Sequence, residues 1–573
     1  MKKFFELLKE NKWMHYSIIV IVGIILSIPL KNIEIRETHD GFFHLLRLLG
    51  TYNTISIGQI PPIIVPDFCS GMGYAINLFY PQLVTYIPLL FKFITPSYAI
   101  ALKVFGGVSI VLSGITMYNF VYQVTKKRTI ALFSAIFYLI APYKLGNVYK
   151  RYAIGEFVAL IFLPMLFQGM HSLFNEDGKK HYYIAIGTSL LILSHTITTL
   201  YAAMFCAIYI IFHIQKLKDK NVIKKIIINL IFIILLTLLF TLPMLEAKQS
   251  AEYTIFNDSV MRTTNQWTYD HSLQLSEFFK DIGKNNATTY IIGIPVLLAI
   301  LLSFYTIKKV DTKYKDIYII FALLSFVSLY IATKYFPWQI IPSIFCKLQY
   351  PWRLVGFFNF FSSLICGINL YILINKFVKK DYLKILILLI ILVTSLSYTL
   401  SIVNQYKATD SQLDEKYESE ILDNPKINHM RINRDYLPLN ALYLQSTYMK
   451  TKENKTDILE GQAQISNEVK ENLNLSMDIK NATKGTILEF PYIYYPGYEV
   501  IIYIGDNIQT IKPIESEHGY LALELTENIE QGEIIVEYKG TTITKVSYIV
   551  SFVSLIIFII YIYLEKKRGE KHV

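Results

Sequence analysis

Long apolar runs separated by short basic clusters set the pattern of this chain. A helix needs about 20 mainly apolar residues to cross a bilayer core. On that measure the pattern predicts spans near 13–30, 98–124, 129–143, 156–174, 182–195, 197–214, 226–245, 290–307, 317–334, 353–375, 384–403 and 546–564, about 12 spans in all. The runs at 129–143 and 182–195 are short, so tilt, a break or merging with a neighbour is expected there. Residues 78–94 are apolar and aromatic, but Pro81 and Pro88 interrupt them. That segment is expected to be re-entrant or to lie in the interface.

Charge orients the pattern. Lys126-Lys127-Arg128, Lys179-Lys180, the 216–225 run, Lys308-Lys309, Lys379-Lys380 and Lys566-Lys567-Arg568 all fall on one side when every predicted span is counted. With the basic N-terminus they mark a cytoplasmic side, so both termini are expected there. An odd number of spans would break the agreement. The run Trp13–Leu30 lacks a small-residue cleavage site and reads as a retained anchor. The opposite side then carries the long loops 31–97, 144–155, 246–289, 335–352 and 404–545.

Residues 404–545 change in character. Polar residues rise and apolar ones alternate, as in Leu473–Ile479, Thr486–Phe490, Tyr498–Ile504, Tyr520–Leu525 and Glu533–Tyr538. Pro496-Gly497, Gly505-Asp506 and Lys539-Gly540 mark turns. The expected organisation is a transmembrane domain over 1–403 with a large first outer loop at 31–97. An extracytoplasmic β-rich, sandwich-like domain over 404–545 follows, then a final helix and basic tail over 546–573. Tyr492, Tyr494, Tyr495 and Tyr498 crowd around Pro496. Packing is the favoured role for them over stacking on sugars.

Composition agrees with this pattern. Of 573 residues, 53% are hydrophobic, with 43 Tyr and 36 Phe, which is the balance of a polytopic α-helical membrane protein in a bacterial cytoplasmic membrane. The net charge of +11 resides largely in the clusters between apolar runs, so it does not imply a nucleic-acid partner. The four cysteines form no framework: Cys206 and Cys366 sit inside apolar runs, and Cys69 and Cys346 fall in outer loops. No P-loop, dinucleotide fingerprint, zinc spacing or Gly-x-Ser-x-Gly elbow is present.

The candidate chemistry begins just after the first span, in Thr38-His39-Asp40-Gly41-Phe42-Phe43-His44-Leu45-Leu46-Arg47. In a helix, Asp40, His44 and Arg47 share one face. Lys150, Arg151 and Glu156 flank the fourth span, His195 ends the fifth, and Trp352-Arg353 opens the tenth, all on the expected outer side. Ionisable groups at a membrane boundary are functional candidates. Each has a plainer alternative. Asp40 suits a helix N-cap, the arginines suit snorkelling to headgroups, Glu156 suits a pair with Arg151, and His195 suits a structural helix end. The convergence of several loops on one surface favours a site.

In order along the chain stand Thr-His-Asp-Gly-x-x-His-x-x-Arg, Gly58-Gln59-Ile60-Pro61, Gly71-Met72-Gly73-Tyr74, Phe79-Tyr80-Pro81, Tyr149-Lys150-Arg151-Tyr152-Ala153-Ile154-Gly155-Glu156, Leu193-Ser194-His195 and Leu348-Gln349-Tyr350-Pro351-Trp352-Arg353. Over roughly residues 10–375 this resembles the bacterial membrane proteins described as related to 6-pyruvoyl-tetrahydropterin synthase. They are similar in turn to YfhO-like proteins and to the GT-C glycosyltransferase superfamily. No zinc-binding histidine triad is present, so pterin chemistry is not carried over. The resemblance implies a GT-C-like fold and transfer of a sugar from a polyprenyl-phosphate donor to an extracytoplasmic cell-envelope glycopolymer or glycolipid, among membrane lipids. It places Asp40 at the position of the family's acidic residue. Many relatives carry two acids there. His39-Asp40 departs from that pattern, so no cofactor is firmly implied and the case for a divalent metal is weak.

On this reading Asp40 is the catalytic base, supported by His39, His44, Glu156 and His195. Arg47, Arg151 and Arg353 are the expected phosphate-binding groups, and Phe79 and Tyr80 the walls of a lipid groove. Inversion at the sugar carbon is the expected stereochemistry. The rival reading is a non-catalytic envelope scaffold or a lipid-linked-sugar transporter. Transport is expected to place charge at mid-membrane depth, and the predicted spans hold almost none.

Overall fold

The computed structural model describes residues 11–279, 290–380, 434–444 and 454–570, with isolated residues between 383 and 416. Helices named below are α1 (Lys12–Ser27), α2 (Gly41–Ser56), α3 (Leu83–Lys92), α4 (Tyr98–Thr125), α5 (Arg128–Leu139), α6 (Ile154–Asn175), α7 (Tyr183–Ile192), α8 (Thr196–Phe212), α9 (Lys220–Ser250), α10 (Thr312–Ala332), α11 (Leu354–Phe377) and α12 (Thr542–Glu570).

Among the described residues, seven helices are long and apolar enough to cross a membrane. The count is eight if the bent pair Arg128–Leu139 and Pro142–Arg151, which turns by 46°, is taken as one span. The expected number near twelve is thus not reached among the described residues. At 182–195 the helix is only ten residues, at 197–214 it is 17, and at 290–307 it breaks into Ile294–Leu301 and Ser303–Thr306. A ten-residue helix rises about 15 Å, half a bilayer core. The segment 384–403 falls largely outside the described residues. Leu83–Lys92, also ten residues with Pro88 inside, is too short to cross, in keeping with the expectation for 78–94.

Residues 144–155, expected in an outer loop, instead continue the bent pair. Pro142 starts a second helical piece, which widens to a π-type turn over Asn147–Arg151 and stops at Tyr152 in the left-handed region, φ 50°. Lys144 in this piece is buried, with its ammonium on the Ser113 hydroxyl and over the Tyr138 ring. The membrane part therefore holds more charge than its hydropathy pattern shows.

Helix contacts rely on small residues and inserted hydroxyls. Gly169 on α6 faces the backbone of α7, and Gly187 on α7 faces the backbone of α6. A Cβ on Gly187 would lie 2.5 Å from the Leu166 nitrogen. Between apolar helices in lipid, close backbone approach is the main gain available. The last helix docks differently. The Ser551 hydroxyl on α12 accepts from the Leu239 N–H at 3.0 Å and donates to the Leu235 carbonyl at 2.9 Å, opening the α9 ladder at one point.

Before α12 the chain forms two antiparallel sheets, with orders β1-β4-β8-β7 and β2-β3-β9-β5-β6. Their strands are β1 (Asp457–Glu460), β2 (Gln464–Glu471), β3 (Asn474–Ala482), β4 (Ile487–Ile493), β5 (Tyr498–Ile504), β6 (Asn507–Ile511), β7 (Ile514–Glu515), β8 (Tyr520–Glu524) and β9 (Ile529–Tyr538). Each expected strand is present. Leu475, Met477 and Ile479 alternate inward, as do Val500 and Ile502, and Ile534 and Val536. Tyr492, Tyr495 and Tyr498 are buried, as packing requires.

This β unit grips the loop after α2. Ile493 N–H donates to the Met72 carbonyl at 3.0 Å, and Lys470 Nζ to the carbonyls of Gly71 and Pro491 at 2.6 and 2.9 Å. Tyr436 N–H donates to the Tyr74 hydroxyl at 3.2 Å. The four cysteines are free, and Cys69 and Cys346 are each buried.

Gly187→Leu is expected to force α6 and α7 apart and to cost about 1–3 kcal/mol, the usual penalty of overpacking. Thermal melting of the detergent-solubilised protein measures it, and an unchanged melting temperature contradicts the close packing described.

Candidate functional site

Asp40 sits at the N-terminus of α2, but its side chain does not cap the helix. The Thr38 hydroxyl takes that role, accepting from the Gly41 N–H at 3.1 Å and donating to the Ile35 carbonyl at 2.6 Å. The Asp40 carboxylate is left for other work. Its backbone position is set by the irregular turn before α6. Tyr152 in the left-handed region ends that turn, and carbonyls near its end point outward. The Arg151 carbonyl accepts from the Asp40 N–H at 2.7 Å and the Lys150 carbonyl from the His39 N–H at 3.3 Å.

A chain of alternating charge starts at Asp40. Arg151 Nη2 lies 3.5 Å from the Asp40 carboxylate, and Arg151 Nη1 donates to Glu156 at 2.9 Å. Arg353 Nε lies 3.6 Å from the same Glu156 oxygen, an ionic contact too long for a hydrogen bond. Glu156 is 3% exposed and the Asp40 side chain 41%, so the chain of charge runs from the interior to an accessible end. Tyr143 Oη and Asn147 Nδ2 also donate to Glu156, and Arg151 Nη1 donates to Asn147 Oδ1 at 2.9 Å. The Arg151 guanidinium rests 4.5 Å over the Trp352 ring. Arg353 is held by Gln349 at 3.0 Å and lies 5.1 Å over the Tyr350 ring.

Arg47 is elsewhere. It is fully buried, with Nε on Asn77 Oδ1 and Nη2 on the carbonyls of Tyr80 and Pro81, each at 3.0 Å. Burial lowers its pKa to about 10, which keeps it charged at neutral pH. The expected phosphate contact is replaced by a role in shaping the loop 77–81. Phe79 likewise lies inside a joint, stacked on Tyr436 at 5.7 Å and packed on Tyr253 at 4.9 Å, rather than on a lipid groove. Tyr80 leans over the Arg47 guanidinium at 4.5 Å, edge-on to His44.

His44 is buried. Burial foremost, then the charges of Arg47 and His195, push its pKa well below the usual value, so it is a neutral imidazole. His39 is exposed beside Asp40. His195 caps α8, its Nδ1 accepting from the Thr198 N–H at 3.2 Å. Among the described residues no group of three or more His, Cys, Asp or Glu side chains is placed to hold a metal.

The family model for the 6-pyruvoyl-tetrahydropterin synthase related domain, described as a membrane protein, matches residues 78–402. The chain belongs to this family. An uncharacterised protein of Lactococcus lactis subsp. cremoris (strain MG1363) is 25% identical over 97% of this chain and 96% of its own length. Among solved structures, the Archaeoglobus fulgidus oligosaccharyltransferase AglB, in complex with an inhibitory peptide and a dolichol-phosphate, is 13% identical with a TM-score of 0.44. That match covers 75% of this chain and 61% of AglB. The arabinofuranosyltransferase AftD from Mycobacteria is 10% identical with a TM-score of 0.44, over 70% of this chain and 27% of its own. This family member thus spans less than two thirds of the length of either enzyme.

Sequence reasoning singled out Asp40, Arg151, Glu156 and Arg353, and the structure joins them. It missed Tyr143 and Asn147, and named Trp352 without giving it a role. The spacing of Tyr143, Asn147 and Arg151 at i, i+4 and i+8 is the signal that was available, but it reads as helical only once residues 144–151 are taken out of a loop.

Glu156→Ala is expected to destabilise the fold by about 3–5 kcal/mol, because two guanidiniums lose a buried counter-charge. Denaturant unfolding in detergent measures it, with Glu156→Gln the milder change. His44 adds a pH dependence. Its folded pKa lies below the unfolded value of 6.5. The unfolded state therefore takes up the extra proton, and stability falls as pH drops below about 6.5, by at most about 1.4 kcal/mol per pH unit. His44→Gln is expected to flatten the melting temperature between pH 7 and 5 relative to the native chain.

Proposed function

We propose that this protein is a membrane glycosyltransferase that moves a sugar from a polyprenyl-phosphate donor to an extracytoplasmic cell-envelope acceptor. The observation that carries this reading is the alternating chain Asp40–Arg151–Glu156–Arg353, with an uncapped, accessible carboxylate at one end. Such a chain supplies what the transfer needs: a base where an acceptor hydroxyl arrives, and fixed cations where a phosphate departs. The loop 68–81 lies between the site and the β unit, with the Tyr80 hydroxyl against Gly155 beside Glu156 and Lys470 on the Gly71 carbonyl.

In the proposed reaction the acceptor oxygen attacks the sugar C1 as the C1–O bond to phosphate breaks. Asp40 takes the acceptor proton. Arg151 and Arg353 stabilise the negative charge gathering on the departing phosphate, each worth roughly 2–4 kcal/mol if comparable to an oxyanion donor. Glu156 holds the two guanidiniums in place and touches no reactant. Attack opposite the phosphate inverts the sugar carbon. The dolichol-phosphate in the AglB complex and the arabinofuranosyl transfer in the name of AftD are of the same substrate kind.

Asp40→Asn keeps size and hydrogen bonding but removes the base. Sugar transfer in membranes carrying the variant is expected to fall at least about hundredfold at normal protein level. Transfer near the native rate removes Asp40 as base.

A further inference from the structure

Tyr80 was expected to line a lipid groove. Its ring is instead clamped on three sides, by the Arg47 guanidinium at 4.5 Å, the His44 ring at 5.6 Å and the Phe43 ring at 5.8 Å. Arg47 also holds the Tyr80 backbone by its carbonyl. A tyrosine fixed at both ring and backbone has little freedom to move its hydroxyl, so the direction of that hydroxyl is a built feature.

It points at the first turn of α6, next to Glu156. A Cβ on Gly155 would lie 2.8 Å from Tyr80 Oη, 2.9 Å from the Ser194 carbonyl oxygen and 3.1 Å from His195 Cδ2. Only a glycine lets the Tyr80 hydroxyl, the Ser194 carbonyl and the His195 ring stand this close to the start of α6. Among the described residues the Tyr80 hydroxyl has no hydrogen-bond partner, although Arg47, Asp40, Arg353 and Arg151 are all close enough to act on it electrostatically. Burial pushes the phenol up to about 12, so it keeps its proton. His195 contributes a second donor. Its Nδ1 lies 2.7 Å from the Thr198 hydroxyl and 3.2 Å from the Thr198 N–H; with Nδ1 accepting from both, the proton of the neutral ring is on Nε2, next to the Cδ2 that packs on Gly155. A third donor, Arg353 Nε, is buried without a hydrogen-bond partner. Of these donors Arg353 Nε is buried without a partner and calls for an acceptor, and an anionic oxygen beside this site of balanced charge satisfies it best.

We infer that the Tyr80 hydroxyl is a substrate-contacting donor that, with His195 Nε2–H and Arg353 Nε, completes a cradle for a phosphate group. This rests on the reading of the site as one for a phosphate-linked donor and adds the group that directs the phosphate. Arg47 is then a positioning residue, acting through the ring and backbone of Tyr80.

The test uses the full chain in detergent, with undecaprenyl monophosphate and, separately, inorganic phosphate as probes, and affinity read from the ligand-induced rise in melting temperature. Tyr80→Phe keeps the ring and its clamp, and the hydroxyl it removes bonds to no described residue, so the unliganded melting temperature is expected to stay within about 1 °C of native. Affinity for undecaprenyl monophosphate is expected to fall about tenfold, as for a lost hydrogen bond to a charged group. Gly155→Ala, whose methyl would press on the Tyr80 hydroxyl and displace it, is expected to weaken it as well. A similar Tyr80-dependent affinity for inorganic phosphate supports a cradle for phosphate itself; a dependence seen with the lipid alone supports a cradle that needs the prenyl chain. If Arg353→Gln weakens binding and Tyr80→Phe does not, the inference falls and the functional reading stands. If the native chain binds neither probe, both fall.

Discussion

A buried carboxylate must be answered, and the answer to Glu156 organises this protein. A charge in a membrane-embedded interior is tolerated only with opposite charge and hydrogen bonds around it. Glu156 receives Tyr143, Asn147 and Arg151 by hydrogen bonds and Arg353 by charge. Those partners come from the bent pair and from the turn into α11, so one acid on α6 ties three parts of the helical core together. Arg151 then has a second guanidinium nitrogen to spare, and it reaches Asp40. The accessible end of the site is a consequence of how its interior is neutralised.

The irregular turn over Asn147–Arg151 is the mechanical counterpart of that network. A regular helix would spend its carbonyls internally. Here the widened turn and the left-handed Tyr152 release the Lys150 and Arg151 carbonyls to the N–H groups of His39 and Asp40. Irregular backbone at a helix end often marks a functional position. The β unit adds support from the other side. It holds Ser70, Gly71 and Met72 by backbone contacts, and the same loop runs on to Asn77 and Tyr80, where Arg47 holds it. The loop beside the site is thus clasped between a sheet and a buried guanidinium.

Hydropathy and charge carried the sequence a long way. A polytopic helical chain with a β unit before its last helix followed from apolar length and from a switch to period-two alternation. Asp40, Arg151, Glu156 and Arg353 stood out because ionisable groups at membrane boundaries are costly. The span count was less legible. Hydropathy registers apolar length without registering where a helix breaks, so Tyr183–Ile192 and the broken pieces after Ile294 read as spans. Residues 144–151 read as a loop because Lys144, Lys150 and Arg151 are charged, although tertiary contacts bury or pair them.

Residue type and order determined by themselves that the chain lives in a membrane, that its family is recognisable, and that acids and arginines gather at one boundary. Which arginine does what was decided by tertiary structure alone. Arg47 and Arg151 are alike in sequence, each a few residues from an acid and an aromatic. One is enclosed by carbonyls and a tyrosine ring, and the other lies between two carboxylates. The same holds for Tyr80, whose ring looks like lipid-facing material until Arg47 clamps it and Gly155 leaves room for its hydroxyl. A side chain's chemistry is set by what stands opposite it, and in a chain of this length the opposite partner comes from residues far away in sequence.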